Sequence, residues 1–193
     1  MSFFSAIIKK GGRAVMGKKR RFFLRSMALL WGLCLIPGCF SEPENGNAIP
    51  PVSDFDLTRY MGKWYEIART PNPFEKGMHS VTALYMLKSN GRVEVLNQGI
   101  CNGKVKTIRG FAKKGSDPGK GDLYVSFFRP FYSLYRIILL GREYQYSVVI
   151  SRGGKYLWIL SRKREISGSD RAEILSFLKE KDLPVHALIR EGL

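Results

Sequence analysis

Apolar and polar residues alternate along eight short runs between residues 63 and 162, and turn residues separate the runs. Alternation with a period of two indicates strands with one buried face. Ser89-Asn90-Gly91 is a strong hairpin signal, because Asn-Gly tolerates positive φ. The predicted strands are Lys63–Thr70, His79–Leu87, Arg92–Gly99, Lys104–Lys113, Asp122–Phe128, Tyr135–Leu140, Tyr144–Ser151 and Lys155–Arg162. Eight consecutive strands with short connections favour an antiparallel up-and-down barrel, which has no open sheet edge.

The period changes from that of a strand to that of a helix after the eighth run. Between Ser167 and Leu183, four apolar residues share one helical face: Ile174, Leu175, Phe177 and Leu178. Ser169 is the predicted N-cap and Pro184 ends the helix. The predicted fold class is therefore all-β, an eight-stranded antiparallel barrel followed by a C-terminal α-helix. Strand faces outside the barrel are also partly apolar, so the helix or a partner must cover some of them.

Two segments carry a family resemblance. Gly62-Lys63-Trp64 begins the first strand, and the last strand ends in Trp158-Ile159-Leu160-Ser161-Arg162. Both segments resemble signatures of the lipocalins, specifically the bacterial outer-membrane lipocalins related to apolipoprotein D. The resemblance implies a lipocalin domain over residues 54–193 with the helix packed outside the barrel. It also implies that Arg162 lies over Trp64 at a closed end, so that Gly62, Trp64 and Arg162 are fold residues.

One segment departs from the family pattern. The second lipocalin signature usually carries Thr-Asp-Tyr before the seventh strand, and this chain has Gly141-Arg142-Glu143-Tyr144 there. Tyr144 aligns, and Glu143 only approximates the acid.

One face of each strand is assigned to the barrel interior by the alternation. If Trp64 points inward, Glu66 and Ala68 do as well. Small residues beside aromatic rings suit a lined cavity, and a solid core is the alternative. Glu66 would hold a lipid headgroup or pair with a base. The candidate ligand contacts are Glu66, Ala83, Tyr85, Val95, Asn97, Phe127, Tyr135, Leu139 and Trp158.

The first 38 residues have the layout of an export signal. Basic residues precede a short apolar run, Met27 to Ile36, which is too short to span a membrane stably. Leu35 to Cys39 resembles a lipobox, which implies a signal peptide over residues 1–38 and acylation of Cys39. An ordinary signal peptide is the alternative, and translation could begin at Met16. Residues 39–53 are predicted to form the lipidated Cys and a flexible tether.

Charge and cysteine content narrow the choice of partners. The formal charge is +16, but residues 1–38 carry eight bases and no acid, so 24 bases and 16 acids remain. The remaining bases are scattered among strands and loops, which argues against nucleic acid as a partner. Without Cys34 and Cys39, Cys101 has no partner for a disulfide and is predicted to be a small buried side chain.

No catalytic constellation is recognisable in the chain. Its two histidines, His79 and His186, lie far apart in sequence, and no metal-ligand spacing, nucleophile elbow or phosphate loop is present. We therefore expect no enzyme, no metal and no cofactor. Glu94 is predicted to face outward, away from Glu66. Lys113, Lys114 and Arg129 are candidate bases near the open end.

The resemblance also implies a function. It points to binding of fatty acids or lysophospholipids, with storage or transport on the periplasmic face of the outer membrane and a role under stress. The protein would attach to the membrane through lipidated Cys39, and formation of a homodimer is left as an open alternative. A structural lipoprotein whose barrel is a scaffold for an envelope partner is the alternative. A lipocalin-type isomerase or a tetrapyrrole binder is a third hypothesis.

Overall fold

The computed structural model describes residues 49–193. The predicted signal peptide, Cys39 and residues 40–48 lie outside the described residues. The helices are α1 (Leu57–Tyr60) and α2 (Gly168–Glu180), and a 3-10 turn covers Val185–Ala187. The strands are β1 (Gly62–Arg69), β2 (Met78–Leu87), β3 (Val93–Cys101), β4 (Lys104–Lys114), β5 (Asp122–Phe128), β6 (Phe131–Leu140), β7 (Tyr146–Ser151), β8 (Tyr156–Ser161) and β9 (Ile189–Arg190).

The first eight strands close into the predicted antiparallel barrel. Each pairs with its neighbours in sequence, and β1 closes the wall by pairing with both β2 and β8. Closure gives each of these eight strands a partner on both sides along at least part of its length, which removes most of the sheet edges that would otherwise invite association. The eight-stranded fold class with a C-terminal helix is confirmed.

A ninth strand of two residues was not predicted. β1 pairs with β2 only from Gly62 to Tyr65, and β9 then pairs with Ala68 and Arg69 on the same side of β1. The Glu191 and Gly192 N–H groups both donate to the Ile67 carbonyl, at 2.8 Å and 3.2 Å. A strand this short has no alternation to detect.

Two apolar clusters lie on opposite sides of the barrel wall. The inner cluster includes Trp64, Tyr85 and Leu123, and the outer cluster includes Ile159 of β8 with Ile174 of α2. Ile174 and Leu178 are fully buried, so α2 covers the apolar outer face of the strands beneath it. The helix therefore supplies the predicted cover on that side.

Two bulges reverse the faces predicted from alternation. The β1–β8 register shifts between Glu66 and Ala68, and Ala68 packs in the outer cluster rather than inside the barrel. The β6–β7 register shifts between Ile137 and Leu139, and Leu139 also packs against the outer cluster. An extra residue in one strand turns every later side chain to the other face. The inward assignments of Ala68 and Leu139 are therefore wrong.

The ends of two predicted segments also differ. Ser167, rather than Ser169, caps α2, because its Oγ accepts from the Asp170 N–H at 3.1 Å. Residues 49–53 of the predicted tether lie against the barrel, where the Val52 N–H donates to the Ile137 carbonyl at 2.9 Å. A Cβ on Gly121 would lie 2.7 Å from Val52 Cγ2, so glycine permits this close approach.

Candidate functional site

One end of the barrel is sealed by the contact that the family resemblance implies. The Arg162 guanidinium lies 3.8 Å from the centre of the Trp64 ring, a cation–π contact. Arg162 also donates to the carbonyls of Lys63 at 3.0 Å and Arg59 at 2.8 Å. Gly62 has φ +96°, and a Cβ there would lie 3.3 Å from the guanidinium. These residues build the closed end and leave no surface for a ligand.

The segment that departs from the family pattern also contributes to the closed end. The Tyr144 hydroxyl accepts from the Asp56 N–H at 2.8 Å, and the Arg59 guanidinium lies 4.3 Å from the Tyr144 ring centre. Glu143 forms an ion pair with Arg59 at 3.4 Å between two exposed side chains. An exposed pair of this kind adds little stability, so Tyr144 is the more important structural residue of the two.

Four hydroxyl groups form a chain inside the barrel above Trp64. The Tyr60 hydroxyl lies 2.9 Å from that of Tyr135 and 3.2 Å from Ser147 Oγ, and Tyr85 donates to Tyr135 at 3.0 Å. Burial raises the pKa of Tyr60 to about 12, and it also raises the pKa of Tyr85 and Tyr135. All three phenols therefore stay protonated at neutral pH. Sequence reasoning identified Tyr85 and Tyr135 and missed Tyr60 and Ser147.

The inner face is more accessible toward the other end of the barrel. Trp64 and Leu123 are fully buried near the closed end. Several residues that share the inner face by register keep part of their surface exposed to solvent: Asn97, Val125, Phe127, Ser133, Tyr135 and Trp158. Side chains that face inward yet contact solvent show that solvent reaches the inner face from this end of the barrel.

Asn97 supplies an unused polar atom on that inner face. It continues the inward positions of Val93 and Val95 on β3 and pairs across the sheet with Ala83. Its Oδ1 atom is buried and has no hydrogen-bond partner within the described residues. An unpaired buried acceptor is costly, and a ligand that donates a hydrogen bond would remove that cost.

A cluster of charged residues lies beside the open end of β1. Arg69 is buried and donates to Glu66 at 2.5 Å. The Arg69 Nε atom lies 3.6 Å from Glu75 Oε2, and the same oxygen accepts from Trp158 Nε1 at 3.1 Å. Glu191 from the segment after β9 approaches Arg69 at 3.7 Å. Three carboxyl groups thus surround one guanidinium, which leaves an excess of acid.

Burial raises the pKa of Glu66 to about 8, with a further contribution from Glu75. Arg69 opposes this rise and does not cancel it. Glu66 therefore carries a proton through most of the neutral range, and the cluster holds less net negative charge than its sequence indicates. Of the two roles open to Glu66, the structure shows the contact with a base, and a headgroup contact stays a prediction.

This pKa predicts a specific dependence of stability on pH. Between about pH 5 and pH 8 the unfolded chain releases the Glu66 proton while the folded protein keeps it, so the free energy of unfolding falls as pH rises. Glu66→Gln removes this titration. We expect the fall to be about 1–2 kcal/mol smaller in the variant than in the parent chain, measured by urea denaturation at several pH values. Parallel pH profiles for the two proteins would contradict the assignment.

The predicted site residues are only partly brought together. Ala83, Tyr85 and Val95 belong to the buried inner cluster, whereas Asn97, Phe127, Tyr135 and Trp158 lie on the accessible part of the inner face. Glu66 belongs to the charged cluster and Trp158 donates a hydrogen bond to Glu75 of that cluster, whereas Leu139 lies outside the barrel wall. Arg69 was missed, because the bulge in β1 places it inside against the simple alternation. Its only sequence signal is a base three residues after an acid in an apolar strand.

The structure also places four residues that were predicted to lie on the surface or near the mouth. Glu94 faces outward, where it pairs with Lys88 at 2.5 Å and Arg109 at 2.6 Å. These bases lower the pKa of Glu94. Lys113 and Lys114 lie at the closed-end side of β4, because β4 runs from the open end to the closed end. Their backbone was wrongly placed near the mouth, where Arg129 does lie, although the Lys113 Nζ atom is 4.8 Å from the centre of the Tyr132 ring near the start of β6.

Two shallow depressions lie outside the barrel and are poorer candidates for a ligand site. One, of about 490 Å³, lies between α2 and the segment that follows it, beside Leu175 and His186. The other, of about 480 Å³, includes Arg171 and Leu193. Both are open to solvent and contain none of the accessible inward-facing residues, so neither encloses an apolar ligand.

Within residues 49–193, no helix has the length and apolar character needed to cross a membrane. In the same range, no three His, Cys, Asp or Glu side chains are grouped as metal ligands.

A closed eight-stranded barrel, sealed by Trp64 beneath Arg162 and followed by one packed helix, defines a lipocalin. The chain matches the lipocalin-like domain family over residues 55–191 and belongs to that family.

Several curated relatives are similar over most of their length. The chain is 37% identical over 169 residues to the outer membrane lipoprotein Blc of Vibrio cholerae serotype O1, covering 86% of this chain and 97% of the relative. It is 38% identical over 157 residues to the same-named protein of Escherichia coli K12, covering 80% and 88%. Apolipoprotein D of Cavia porcellus is 36% identical over 164 residues, covering 77% and 84%. The resemblance to bacterial outer-membrane lipocalins is confirmed.

The fold is also similar to that of solved structures. Insecticyanin from the tobacco hornworm Manduca sexta has a TM-score of 0.64 at 20% identity, covering 75% of this chain and 84% of that one. The cockroach allergen Per a 4 has a TM-score of 0.61 at 22% identity, covering 74% and 91%. At these identities the likeness shows the barrel alone.

Proposed function

We propose that this chain is a lipocalin lipoprotein of the cell envelope that stores or transports fatty acids or lysophospholipids. In this proposal residues 1–38 direct export, and acylated Cys39 holds the protein on the periplasmic face of the outer membrane. The physiological setting is maintenance of the membrane under stress. The Vibrio and Escherichia relatives, both named outer membrane lipoprotein Blc, support the location.

One observation carries the proposal for a ligand. The inner face is sealed and fully buried around Trp64, yet it keeps accessible apolar and aromatic side chains, including Phe127 and Trp158, toward the other end. Such a hollow suits an acyl chain, because each methylene that leaves water contributes about 0.8 kcal/mol. The unpaired Asn97 Oδ1 offers the headgroup one hydrogen bond. Ala83, Tyr85 and Val95 would form the floor of the cavity.

The two tryptophans of the domain allow a direct test. A unit of residues 40–193 contains the whole described barrel and includes only two tryptophans, Trp64 at the sealed base and Trp158 at the accessible inner face. This unit is delipidated and titrated with palmitate or lysophosphatidylethanolamine, and binding is followed by native mass spectrometry and tryptophan emission. We expect one ligand per barrel and a blue shift of the emission, because the ligand removes water from around Trp158.

The control variant is Trp158→Phe. It should keep the bound mass but lose the emission change, since Trp64 is already buried. If both ligands leave the mass and the emission unchanged, the carrier proposal fails. That outcome would favour the alternative of a lipoprotein that presents its barrel to an envelope partner.

A further inference from the structure

The open end of the barrel exposes large apolar side chains. Because β1 runs from the closed end to the open end, the connections β1–β2, β3–β4, β5–β6 and β7–β8 all lie at the open end. In or beside three of these connections, large apolar side chains are mostly exposed: Phe74 at 65%, Val105 at 69%, Phe128 at 64% and Phe131 at 77%. Among the described residues, the exposed large side chains on the closed-end side are less exposed: Leu87 at 44% and Tyr124 at 39%.

The same end carries an excess of positive charge. Six exposed bases lie in or beside its connections: Lys76, Lys104, Lys106, Arg129, Arg152 and Lys155. In the described part of the chain, none of the six forms an ion pair. The one acid within these connections, Glu75, is mostly buried and already contacts Arg69 and Trp158. We call these apolar and basic residues together the rim.

Backbone pairing at the rim limits how deeply it can enter an apolar phase. β4 pairs with β5 only from Phe111 to Lys114, so residues 104–110 have no ladder partner on that edge of β4. Unpaired backbone groups are too costly to place in hydrocarbon, but water and lipid headgroups can satisfy them. Phenylalanine rings and lysine side chains both suit that interfacial layer.

We propose that the rim docks on the surface of an anionic phospholipid bilayer, at headgroup depth, so that the mouth of the barrel opens onto the membrane. Lysines and arginines near such a surface are attracted by its negative potential, and exposed aromatic side chains add apolar contact. A second copy of the chain is a poorer occupant. A symmetric dimer through the rim would bring two sets of unpaired bases together.

This inference goes beyond the proposed function, because it depends neither on acylation of Cys39 nor on a ligand in the barrel. It adds a consequence for that function. A carrier whose mouth contacts the bilayer can exchange a lipid with the membrane without passing it through water.

The test uses the unit of residues 40–193, which includes neither the predicted signal peptide nor the predicted acylation site, Cys39. Its binding to vesicles of phosphatidylethanolamine with roughly 30% phosphatidylglycerol, whose anionic headgroups give the surface a negative potential, is measured by co-sedimentation. Vesicles of phosphatidylcholine alone are the neutral comparison. We expect binding to the anionic vesicles that is at least about tenfold stronger and that weakens several-fold when salt rises from about 0.05 to 0.5 M.

Two rim variants separate the apolar and electrostatic contributions. Phe128→Ser/Phe131→Ser and Lys104→Glu/Lys106→Glu should each weaken binding by about tenfold or more, because they remove interfacial contact or attraction. The matched closed-end controls are Leu87→Ser and Lys114→Glu/Lys163→Glu, the second with the same change in net charge. Both controls should bind within about twofold of the parent, and circular dichroism checks that all variants are folded.

Two results would contradict docking of the rim on the bilayer. Equal weakening by the rim and closed-end charge variants would mean that net charge, rather than the rim, attracts the protein. Absence of vesicle binding, together with dimers that the Phe pair abolishes, would show that a second copy covers the rim. Ligand binding measured without vesicles is a separate readout, so failure of the rim leaves the carrier proposal to be judged by its own experiment.

Discussion

Trp64→Ala is expected to lower the free energy of unfolding by about 3–5 kcal/mol, the range for large aromatic side chains removed from a core. Trp64 is fully buried, its Nε1 donates to the Tyr60 carbonyl at 2.9 Å, and its ring supports the Arg162 guanidinium. The substitution removes all three contributions and leaves a cavity at the base of the barrel. Urea denaturation of residues 40–193, followed by circular dichroism, measures the change.

Trp158→Ala is the matched control, because it removes the same side chain from the opposite end of the inner face. Trp158 keeps part of its surface exposed and has a hydrogen bond to Glu75. Its replacement should cost less than about 2 kcal/mol. Similar decreases in the free energy of unfolding for the two variants would show that Trp64 at the base stabilises the barrel no more than Trp158 does.

Ser133→Trp is expected to weaken binding of palmitate by about 50-fold. Ser133 is exposed and shares the inner face with Val125, its partner on β5. An indole there would occupy the room of about three acyl methylenes, and about 0.8 kcal/mol for each gives roughly that factor. Native mass spectrometry and competition with a fluorescent fatty acid measure the affinity.

Leu134→Trp introduces the same ring one residue along β6, on the outer face beside Tyr124. It should bind palmitate within about twofold of the parent, and both variants should unfold within about 1 kcal/mol of it, since both sites are at least partly exposed. Unchanged affinity in Ser133→Trp would mean that the ligand does not occupy the hollow. Equal losses in both variants would indicate a general disturbance of the strand.

Much of the barrel could be predicted because its signals are local and periodic. Alternation identified eight strands, and the Gly-x-Trp segment with Arg162 identified how the base is sealed. The inward positions of Ala83, Tyr85 and Val95 followed from parity alone, because β2 and β3 pair without a bulge along those residues. Where the pleat is regular, parity is enough to assign a face.

The remaining features depended on β-bulges and on contacts between distant segments, which the alternation of residues cannot predict. A bulge in β1 moved Ala68 outside and brought Arg69 inside, and a bulge in β6 moved Leu139 outside. Tyr60 escaped notice because it lies on α1, a four-residue helix before the first strand. Its hydroxyl reaches the interior only once the barrel is closed, and such a contact between distant segments has no local signal.

The row of hydroxyl groups inside the barrel has a simple consequence in protons. The row has four O–H groups but only three hydrogen bonds between them, so one hydrogen is not used within the row. Its members are Tyr60, Tyr85, Tyr135 and Ser147. If Ser147 donates to Tyr60 and Tyr60 donates to Tyr135, the surplus belongs to Tyr135, which also accepts from Tyr85 and is the member that solvent can reach. A ligand with an oxygen lone pair could then accept a hydrogen bond from Tyr135 in the largely apolar interior of the barrel.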